Sequence, residues 1–442
     1  SLPLTAEETP FFLKIILWNS SAETGDFEEI SMQREEFGFA LAIADTEEKG
    51  RYRQQALEKA RQSGLILIHH KTLAEALAKK ERENAWNGRS LIISEASRLE
   101  ENFTAALSRR YTEAMLRPFT GEKAALLFGF IGMAHGKFSG EQGAEGIGGD
   151  VILNEEVAAS EAWRRVRQAA ENLPDCLQKE MLLNDLAPQE NRTAWISFFA
   201  NEVAFQSAPV ALGELFERAA NIFPRMLLQS EALGGDGSFE CIRTLFRLDE
   251  SWAAKSEGAA AQKITVKIPE NFPDPYANGY FKACEKLFLG LIEEKKGRVL
   301  FLMSSKKAAD AFYQALLPKV PKGVRMLGIG ISGGAGKSIA LFREDPARSV
   351  LFTTAQILPL LPEIEDDIEA VVFQKIPFDP PNHPVLRARG TMFGNAFEKY
   401  TLPRAVMRFQ ETLAELSCGR REKTCYLLDR RLVHRDYGRL FI

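Results

Sequence analysis

Short apolar runs alternate with amphipathic stretches in the C-terminal part of the chain. The runs Ile264–Ile268 and Arg298–Met303 are rich in strand-forming residues, and the second is continuously apolar, as in a parallel strand buried on both faces. Between them, Tyr280–Lys295 places its apolar side chains on one face of a helix. The pattern predicts a strand, a helix and a second strand in succession.

The same order of elements continues toward the C-terminus. Ser304 and Ser305 can cap a helix over Lys306–Leu317. Further strands are expected at Val324–Ile331, Ser349–Thr353 and Ile368–Phe373, with a helix that starts near Ile339–Phe342. Strands and helices that alternate at this spacing predict a parallel α/β sheet.

The N-terminal third shows a similar but less regular pattern. Arg51–Gln62 is predicted as a helix, Leu65–Ile68 as a buried strand and Ser90–Ile93 as a second strand. Arg225–Leu228 is another short run of the buried type. These segments predict a first α/β domain whose strands are widely separated in sequence.

The stretch between those strands is mostly helical in pattern. It covers residues 101–190 and contains a glycine-rich segment, Gly136–Gly149, that we interpret as a mobile loop. From Trp195 to Leu212 the pattern becomes strand-like again. A helical block is therefore expected inside a first α/β domain, and a second α/β domain follows it.

The composition is that of an ordinary globular protein with several domains. The 442 residues predict two to four domains at roughly 100 to 200 residues each. Hydrophobic residues make up 45% of the chain and charged residues 26%. Since 56 Lys and Arg stand against 60 Asp and Glu, the formal net charge is -4. This excludes binding through overall positive charge but leaves room for a local basic groove.

The cysteines favour a reducing compartment. They lie at positions 176, 241, 284, 418 and 425 without a C-x-x-C pair, so neither a disulfide framework nor a zinc site is predicted. The longest apolar run, Ala124–Met133, is about half of the ~20 residues that a membrane span needs. No secretory signal opens the chain. We expect a cytoplasmic protein that does not bind membranes.

One glycine-rich segment is similar to a phosphate-binding loop. Gly330–Ser338 reads GISGGAGKS between a predicted strand and a predicted helix, with Lys337 at the lysine position. The spacing G-x-x-x-x-G-K-[ST] requires a glycine at position 331, which is Ile331. The later strand IEAVVF is not followed by an acidic residue for magnesium. We therefore interpret the segment as a turn between strand and helix.

Three C-terminal segments carry a family pattern. They are VVFQKIPFDPPNHPV (Val371–Val385), FEKYTLPRAVMRFQ (Phe397–Gln410) and YLLDRRLVHRDYG (Tyr426–Gly438). They closely resemble the end of the XPD/DinG family of superfamily-two DNA helicases. Members of that family read roughly K-L-P-F-x-x-P-x-x-P, then Y-x-x-P-x-A with a Gln, then L-D-x-R and Y-G.

Other segments resemble further motifs of the same family and occur in the same order along the chain. RVLFLMSS from Arg298 resembles its fourth motif, and Ser230–Glu250 resembles its S-A-T-L region. LIISEASRLE (Leu91–Glu100) occupies the position of the family's D-E-A-H motif. Leu4–Ile30 is similar to the segment that precedes the family's iron–sulfur region. The resemblance implies an α/β fold of two RecA-like parallel-sheet helicase domains, the first one incomplete, with an inserted, mostly helical Arch-like domain.

The resemblance also assigns domain boundaries. Residues 1–63 are expected to be a remnant of the iron–sulfur-region segment of helicase domain 1. The remaining parts are domain 1 strands with a degenerate D-E-A-H at 64–100, the Arch-like insertion at 101–190, the return to domain 1 at 191–260 and domain 2 at 261–442. The family's P-loop would precede residue 1, so we expect a truncated member of the family.

The positions at which the family binds magnesium and nucleotide are altered. From Ser94 to Ser97 the chain reads S-E-A-S in place of D-E-A-H, so a serine replaces the Asp that binds magnesium. Glu95 can still orient a water molecule or be a solvated residue at a helix start. The S-A-T position begins with Ser230 but continues with a glutamate, and the E-G-x-D position reads P-L-L-P at 359–362.

The arginine fingers of the family are missing. In Q-x-x-G-R-x-x-R, counted from Gln410, the two arginine positions hold Ala414 and Ser417. Loss of one such arginine costs about 10³ to 10⁵ in rate. The family is an ATP hydrolase, but no catalytic site is intact here, and we expect no ATP hydrolysis by this chain alone. ATP and Mg²⁺ are expected only if an upstream P-loop completes the site.

The iron–sulfur cluster of the family is not expected either. Its cysteine ligands would fall between Phe37 and Ser63, where the chain has no cysteine.

Basic residues are concentrated near the C-terminus. Residues 381–442 contain twelve Lys or Arg against six Asp or Glu, a net charge of +6. This is enough for several phosphate contacts if the cations face one groove, although they can equally pair with acids or face solvent. We expect Ser304, Lys375, Arg404 and Arg408 to contact nucleic acid, and the first two occupy family positions near DNA. We interpret Asp429–Arg431 as a structural ion pair.

Three functions follow from these patterns. The first is a helicase-like module that binds single-stranded DNA or a partner protein without hydrolysing ATP. The second is the C-terminal portion of an ATP-dependent DNA helicase whose P-loop lies upstream or on another chain. The third, a free-standing nucleotide hydrolase that uses Gly330–Ser338, has the least support.

Overall fold

The computed structural model describes residues 58, 60, 62–79, 89–139, 149–199, 202–234, 238–255, 264–295, 298–344, 348–417 and 420–441. Three predictions concern positions that lie wholly or mostly outside the described residues: the segment Leu4–Ile30, the helix Arg51–Gln62 and the loop Gly136–Gly149. The absence of an iron–sulfur cluster, which concerns positions 37–63, likewise stays a prediction.

The described residues form strands and helices in alternating order. The strands are β1 (Ser90–Ile93), β2 (Arg109–Thr112), β3 (Val151–Ile152), β4 (Arg192–Phe199), β5 (Glu202–Pro209), β6 (Arg225–Leu228), β7 (Ile264–Lys267), β8 (Arg298–Leu302), β9 (Arg325–Gly328), β10 (Ser349–Thr353), β11 (Ile368–Phe373) and β12 (Lys423–Leu427). The α-helices are α1 (His70–Lys79), α2 (Leu99–Leu107), α3 (Glu113–Thr120), α4 (Lys123–Phe138), α5 (Glu155–Ala159), α6 (Glu161–Glu171), α7 (Leu177–Asp185), α8 (Gly213–Ile222), α9 (Glu240–Phe246), α10 (Tyr280–Glu294), α11 (Lys306–Leu316), α12 (Ala335–Glu344), α13 (Pro384–Gly390), α14 (Leu402–Ser417) and α15 (Arg431–His434).

The C-terminal half contains a six-stranded sheet, which we call the second sheet. Its order is β7-β12-β11-β8-β10-β9, and every neighbouring pair is parallel. All residues of β8 and β10 are buried. Helices α10 and α11 pack on one face, while α12 and α14 pack on the other. The predicted parallel α/β sheet is confirmed, because continuous apolar strands need cover on both faces.

The first sheet consists of β1 and β6, which pair in parallel with Ile92 beside Leu227. Helices α1, α2, α8 and α9 all pack on one face of it, around a core that includes Ile93 and Phe103.

The opposite face of the first sheet is apolar and exposed. Ile92 is 64% exposed, and its partner Leu227 on β6 is exposed beside it. Leu67, which is 87% exposed, and Leu65 are exposed as well in the segment that precedes α1. The segment Leu65–Ile68, which is predicted from the sequence to be a strand, does not form one, and alternate residues of it face solvent. The predicted burial of Leu65–Ile68 and Arg225–Leu228 is therefore wrong, because exposed and half-buried residues alternate in both segments and the helices that pack on this part of the chain cover a single face.

The inserted block combines helices α3 to α7 with an antiparallel sheet of order β2-β5-β4-β3. Its core surrounds Trp163 and Phe205. The strand-like pattern after Trp195 does form strands, yet β4 and β5 pair with β2 and β3 rather than with β1 or β6. Period-two alternation predicts a strand but does not reveal its partner.

Candidate functional site

The positions at D-E-A-H and S-A-T lie together where β1 and β6 end. Ser230 Oγ donates a hydrogen bond to Ser97 Oγ at 2.8 Å. The Ala96 N–H donates to the carbonyl of Gln229 at 3.0 Å, which ties the two strand ends to each other. The structure thus brings together the altered motifs that the sequence analysis singled out, at the carboxyl edge where ligands of α/β sheets bind.

Glu95 lies at this edge in the left-handed region, with φ of 50°. Non-glycine residues rarely adopt that conformation, so the turn after β1 is strained. Its carboxylate accepts from Arg98 Nη1 at 3.1 Å rather than from a group of the second sheet. Arg98 also reaches across to α14, where its Nε lies 2.6 Å from Glu411 Oε1.

Helix α14 presents acids to the altered D-E-A-H position. Gln410 donates to the carbonyl of Leu440 at 3.3 Å, and the Ser417 hydroxyl donates to the carbonyl of Ala414. Glu411, one residue beyond Gln410, is the acid of this helix that reaches Arg98 beside the altered D-E-A-H position.

The cleft between α14 and the first sheet is acidic. Burial raises the pKa of Glu411, against the opposing effect of Arg98. Burial also raises the pKa of Glu415, and the charges of Glu95 and Glu231 add to that increase. Four carboxylates are therefore concentrated in this cleft, and the Arg98 guanidinium already pairs with two of them. A polyphosphate would meet net repulsion here.

The segment Gly330–Ser338 forms the turn that the sequence analysis predicted. The Gly330 N–H donates to the carbonyl of Gly333 at 2.7 Å, and the amides of Ile331 and Ser332 donate to the carbonyl of Gly328. These three amides point into the turn and are not available to cradle a phosphate. Gly330 has φ of 74°, and a Cβ there would lie 3.0 Å from Lys306 Nζ, so this position requires glycine.

Ser304 and Lys375 lie at the carboxyl edge of the second sheet, at the ends of the neighbouring strands β8 and β11. The N–H and the hydroxyl of Ser304 both donate to Gln374 Oε1, at 3.0 and 2.9 Å. Lys375 Nζ lies 4.8 Å from the ring centre of Tyr276 and 5.7 Å from that of Tyr280. Burial lowers the pKa of Lys375, and the charge of Arg431 adds to this decrease.

Asp429 anchors the neighbouring part of this edge. It accepts from the Ile376 N–H at 3.0 Å and from Arg431 Nε at 2.9 Å. Arg431 in turn lies over the rings of Tyr276 and Phe378, at 5.8 and 5.3 Å. These contacts agree with the interpretation of Asp429–Arg431 as a structural ion pair.

Arg404 and Arg408 lie apart from that edge, in ion pairs between the two halves of the molecule. Arg404 is 8% exposed and bonds to Asp379 at 2.8 Å and to Glu100. Arg408 pairs with Asp379 and, at 3.5 Å, with Glu101. Both residues are predicted from the sequence to contact nucleic acid, but the structure buries the Arg404 guanidinium among carboxylates.

Several other C-terminal cations are paired in the same way. Ion pairs form at Arg389–Glu100, Lys399–Glu240 and Arg431–Asp429. Glu100 and Glu240, which lie in distant parts of the chain, therefore neutralise part of the local charge of +6, as the alternative interpretation of this segment expected.

Tyr276 was missed by the sequence analysis. It lies in the proline-rich stretch after β7, and an aromatic residue in such a turn is not distinctive on its own. Its position beside Lys375 depends on β7 and β11 flanking β12 in the sheet, although they are about a hundred residues apart in sequence.

The described residues contain no group of three or more His, Cys, Asp or Glu placed to hold a metal ion. Cys176, Cys241, Cys284 and Cys425 are free thiols. Within the described parts of the chain, no helix is long and apolar enough to cross a membrane.

Known proteins are similar to this chain in sequence. The chain is 25% identical over 307 residues to the 3'-5' exonuclease DinG of Bacillus subtilis, which covers 65% of this chain and 32% of the relative. It is 24% identical over 180 residues to the ATP-dependent DNA helicase YoaA of Haemophilus influenzae, which covers 40% of this chain and 28% of that protein. The matches thus span about a third of the length of these curated relatives. No family model matches the chain.

A solved structure titled XPD helicase has a similar fold. The TM-score is 0.52 at 11% identity, over 79% of this chain and 66% of that one. This likeness supports the α/β architecture of parallel sheets. The sequence matches to DinG and YoaA and this likeness of fold agree with the predicted resemblance to the XPD/DinG family of helicases.

Proposed function

We propose that this chain binds single-stranded nucleic acid along the carboxyl edge of the second sheet and does not hydrolyse ATP by itself. The observation that carries the proposal is the distribution of charge. The cleft at the altered motifs is lined by Glu95, Glu231, Glu411 and Glu415, whereas the carboxyl edge of the second sheet presents cations.

Hydrolysis of ATP needs positive charge on the phosphates in the transition state. Arg98 supplies a guanidinium to the cleft, but it already forms ion pairs with Glu95 and Glu411. Ala414 and Ser417 cannot supply the charge that the family places on this helix. The electrostatics therefore oppose both nucleotide binding and catalysis.

The carboxyl edge of the second sheet has the opposite character. Lys375 forms no ion pair within the described part of the chain and lies against two tyrosine rings. Lys306 and Lys337 lie farther along the same edge, near the turn at Gly330. Cations along a strand-end rim, with aromatic rings beside Lys375, suit the backbone and bases of a single strand.

Fluorescence anisotropy with labelled oligothymidine tests the proposal. Binding should weaken steeply between about 50 mM and about 200 mM salt, because bound phosphates release counterions. Lys375→Gln should reduce the salt slope by about one unit. Lys322→Gln is the matched control, since Lys322 is exposed near the start of β9, at the opposite edge of the sheet.

Two results would contradict the proposal. One is the absence of salt-sensitive binding by the wild-type chain. The other is phosphate release from ATP, in the presence of the oligonucleotide, above the level of a protein-free blank.

A second candidate function is favoured by the exposed apolar face of the first sheet. Ile92 and Leu227 are exposed on a face that a parallel sheet normally buries under helices, and Leu65 and Leu67 are exposed as well. An α/β segment with a P-loop, carried upstream or by another polypeptide, would cover this face and make the chain part of an ATP-dependent helicase. The reading frame upstream of Ser1 tests this candidate: a stop codon there, with no P-loop protein encoded nearby, would count against it.

A further inference from the structure

Tyr276 is a large aromatic residue that projects from the carboxyl edge of the second sheet. It is 82% exposed, although it lies in the turn between β7 and α10 and next to buried Tyr280. Most exposed aromatic rings lack defined neighbours, but this ring has a cation near it from each of two other strand ends. Its position is therefore defined by the sheet.

The neighbours of Tyr276 are themselves held in place. Arg431, 5.8 Å from the ring centre, forms a bidentate pair with Asp429 through Nε and Nη2. The hydroxyl of Tyr280 donates to the carbonyl of Gln374, the residue before Lys375. A ring supported in this way loses little conformational entropy when a ligand stacks on it.

Lys375 provides the second half of a binding site. Its ammonium lies 4.8 Å from the Tyr276 ring centre and lacks a carboxylate partner among the described residues. The hydroxyl of Ser304 lies on the adjacent strand end, β8. A cation next to an exposed ring can bind a phosphate while a base attached to the same strand lies on the ring.

We propose that Tyr276 stacks an unpaired base of the bound strand while Lys375 contacts a neighbouring phosphate. This inference rests on the proposed function and adds which kinds of nucleic acid the site selects. A strand whose bases are free to stack is bound more tightly than a backbone without bases, and a duplex, in which the faces of the bases are covered, is excluded from the ring.

The test compares two labelled oligonucleotides of equal length, oligothymidine and an abasic strand with the same phosphates. The wild-type chain should bind oligothymidine more tightly. Tyr276→Ala should weaken oligothymidine binding by about 5- to 150-fold, the range for loss of one stacked base, and leave abasic binding unchanged. Tyr276→Phe should restore the preference, because the ring is retained. Lys375→Gln should weaken binding of both strands.

The possible failures are distinguishable. If the wild-type chain binds neither strand, the proposed function fails and this inference fails with it. If the chain binds both strands equally, or if Tyr276→Ala weakens both to the same extent, nucleic-acid binding stands and the stacking role is overturned. Thermal unfolding monitored by circular dichroism serves as the folding control. Since Tyr276 is exposed, its variants should unfold like the wild type.

Discussion

Single side chains at the carboxyl edge of the second sheet combine charge with partial burial. Lys375 is half-buried between Tyr276 and Tyr280, so its ammonium is less hydrated than that of a surface lysine. Burial and the nearby Arg431 both lower its pKa. The position of Lys375 was identified from the family pattern, whereas its aromatic neighbours became evident only in the fold.

The pH dependence of binding follows from this lowered pKa. Lys375 is charged below its pKa and neutral above it, so its attraction for phosphate is lost as the pH rises through that value. Lysines in model peptides have a pKa of about 10.4. The affinity of the wild type should therefore begin to fall at a lower pH than it would if Lys375 had that ordinary pKa. Anisotropy titrations from neutral to alkaline pH measure this effect.

Lys375→Arg is the control, since arginine keeps its charge throughout that range. The early loss of affinity should disappear in this variant. Identical pH profiles for the wild type and Lys375→Arg would show that Lys375 does not titrate in the binding reaction.

At the scale of elements, strand β1 has helices on one face only, so adjacent apolar residues of the strand differ in burial. Ile93 is buried against helices of the first sheet, while Ile92 faces solvent beside Leu227. The apolar run predicted the strand correctly. Its burial depends on which helices are present, and the helices of the described residues that pack on this sheet lie on one face.

Substitution of the two isoleucines should therefore have unequal effects. Ile93→Ala should lower the free energy of unfolding by about 2 to 5 kcal/mol, because it leaves a cavity in the core. Ile92→Ala should change it by less than about 0.5 kcal/mol, as for a solvent-exposed position. Urea denaturation of the full chain measures both. Equal losses would mean that the outer face is packed in solution.

Across the whole molecule, buried ion pairs join the first sheet to the C-terminal half. Glu100 on α2 accepts from Arg389 Nη1 at 2.7 Å and from the hydroxyl of Tyr400, and it also pairs with Arg404. Arg389 further donates to the carbonyls of Pro209 and Val210. The Glu100 carboxylate therefore links α2 to three side chains of the C-terminal half. Arg389 in turn links that half to the end of the inserted block.

Removal of the Glu100 charge should destabilise the molecule strongly. Glu100→Gln leaves Arg389 and Arg404 buried without this carboxylate, and a broken buried pair costs about 3 to 5 kcal/mol. Glu101→Gln is the matched control, because Glu101 is 67% exposed and its pair with Arg408 should contribute less than about 1 kcal/mol. Thermal denaturation of both variants measures the difference. A midpoint for Glu100→Gln equal to that of the control would contradict this role.

The amino-acid sequence by itself determined the second sheet and the alteration of the family motifs. Continuous apolar runs and helical periodicity are local properties, so β8, α11 and β11 were predicted almost to the residue. The loss of the arginines at Ala414 and Ser417 is likewise visible without a fold.

The tertiary structure alone decided which charges are paired. Arg389 and Glu100 are 289 residues apart, and Arg404 meets Asp379 from a different segment, so no local pattern could show that these cations are neutralised. The same holds for Tyr276, which lies beside Lys375 because of the strand order. Ion pairing and strand adjacency are long-range, and they determine which basic residues remain available to a nucleic acid.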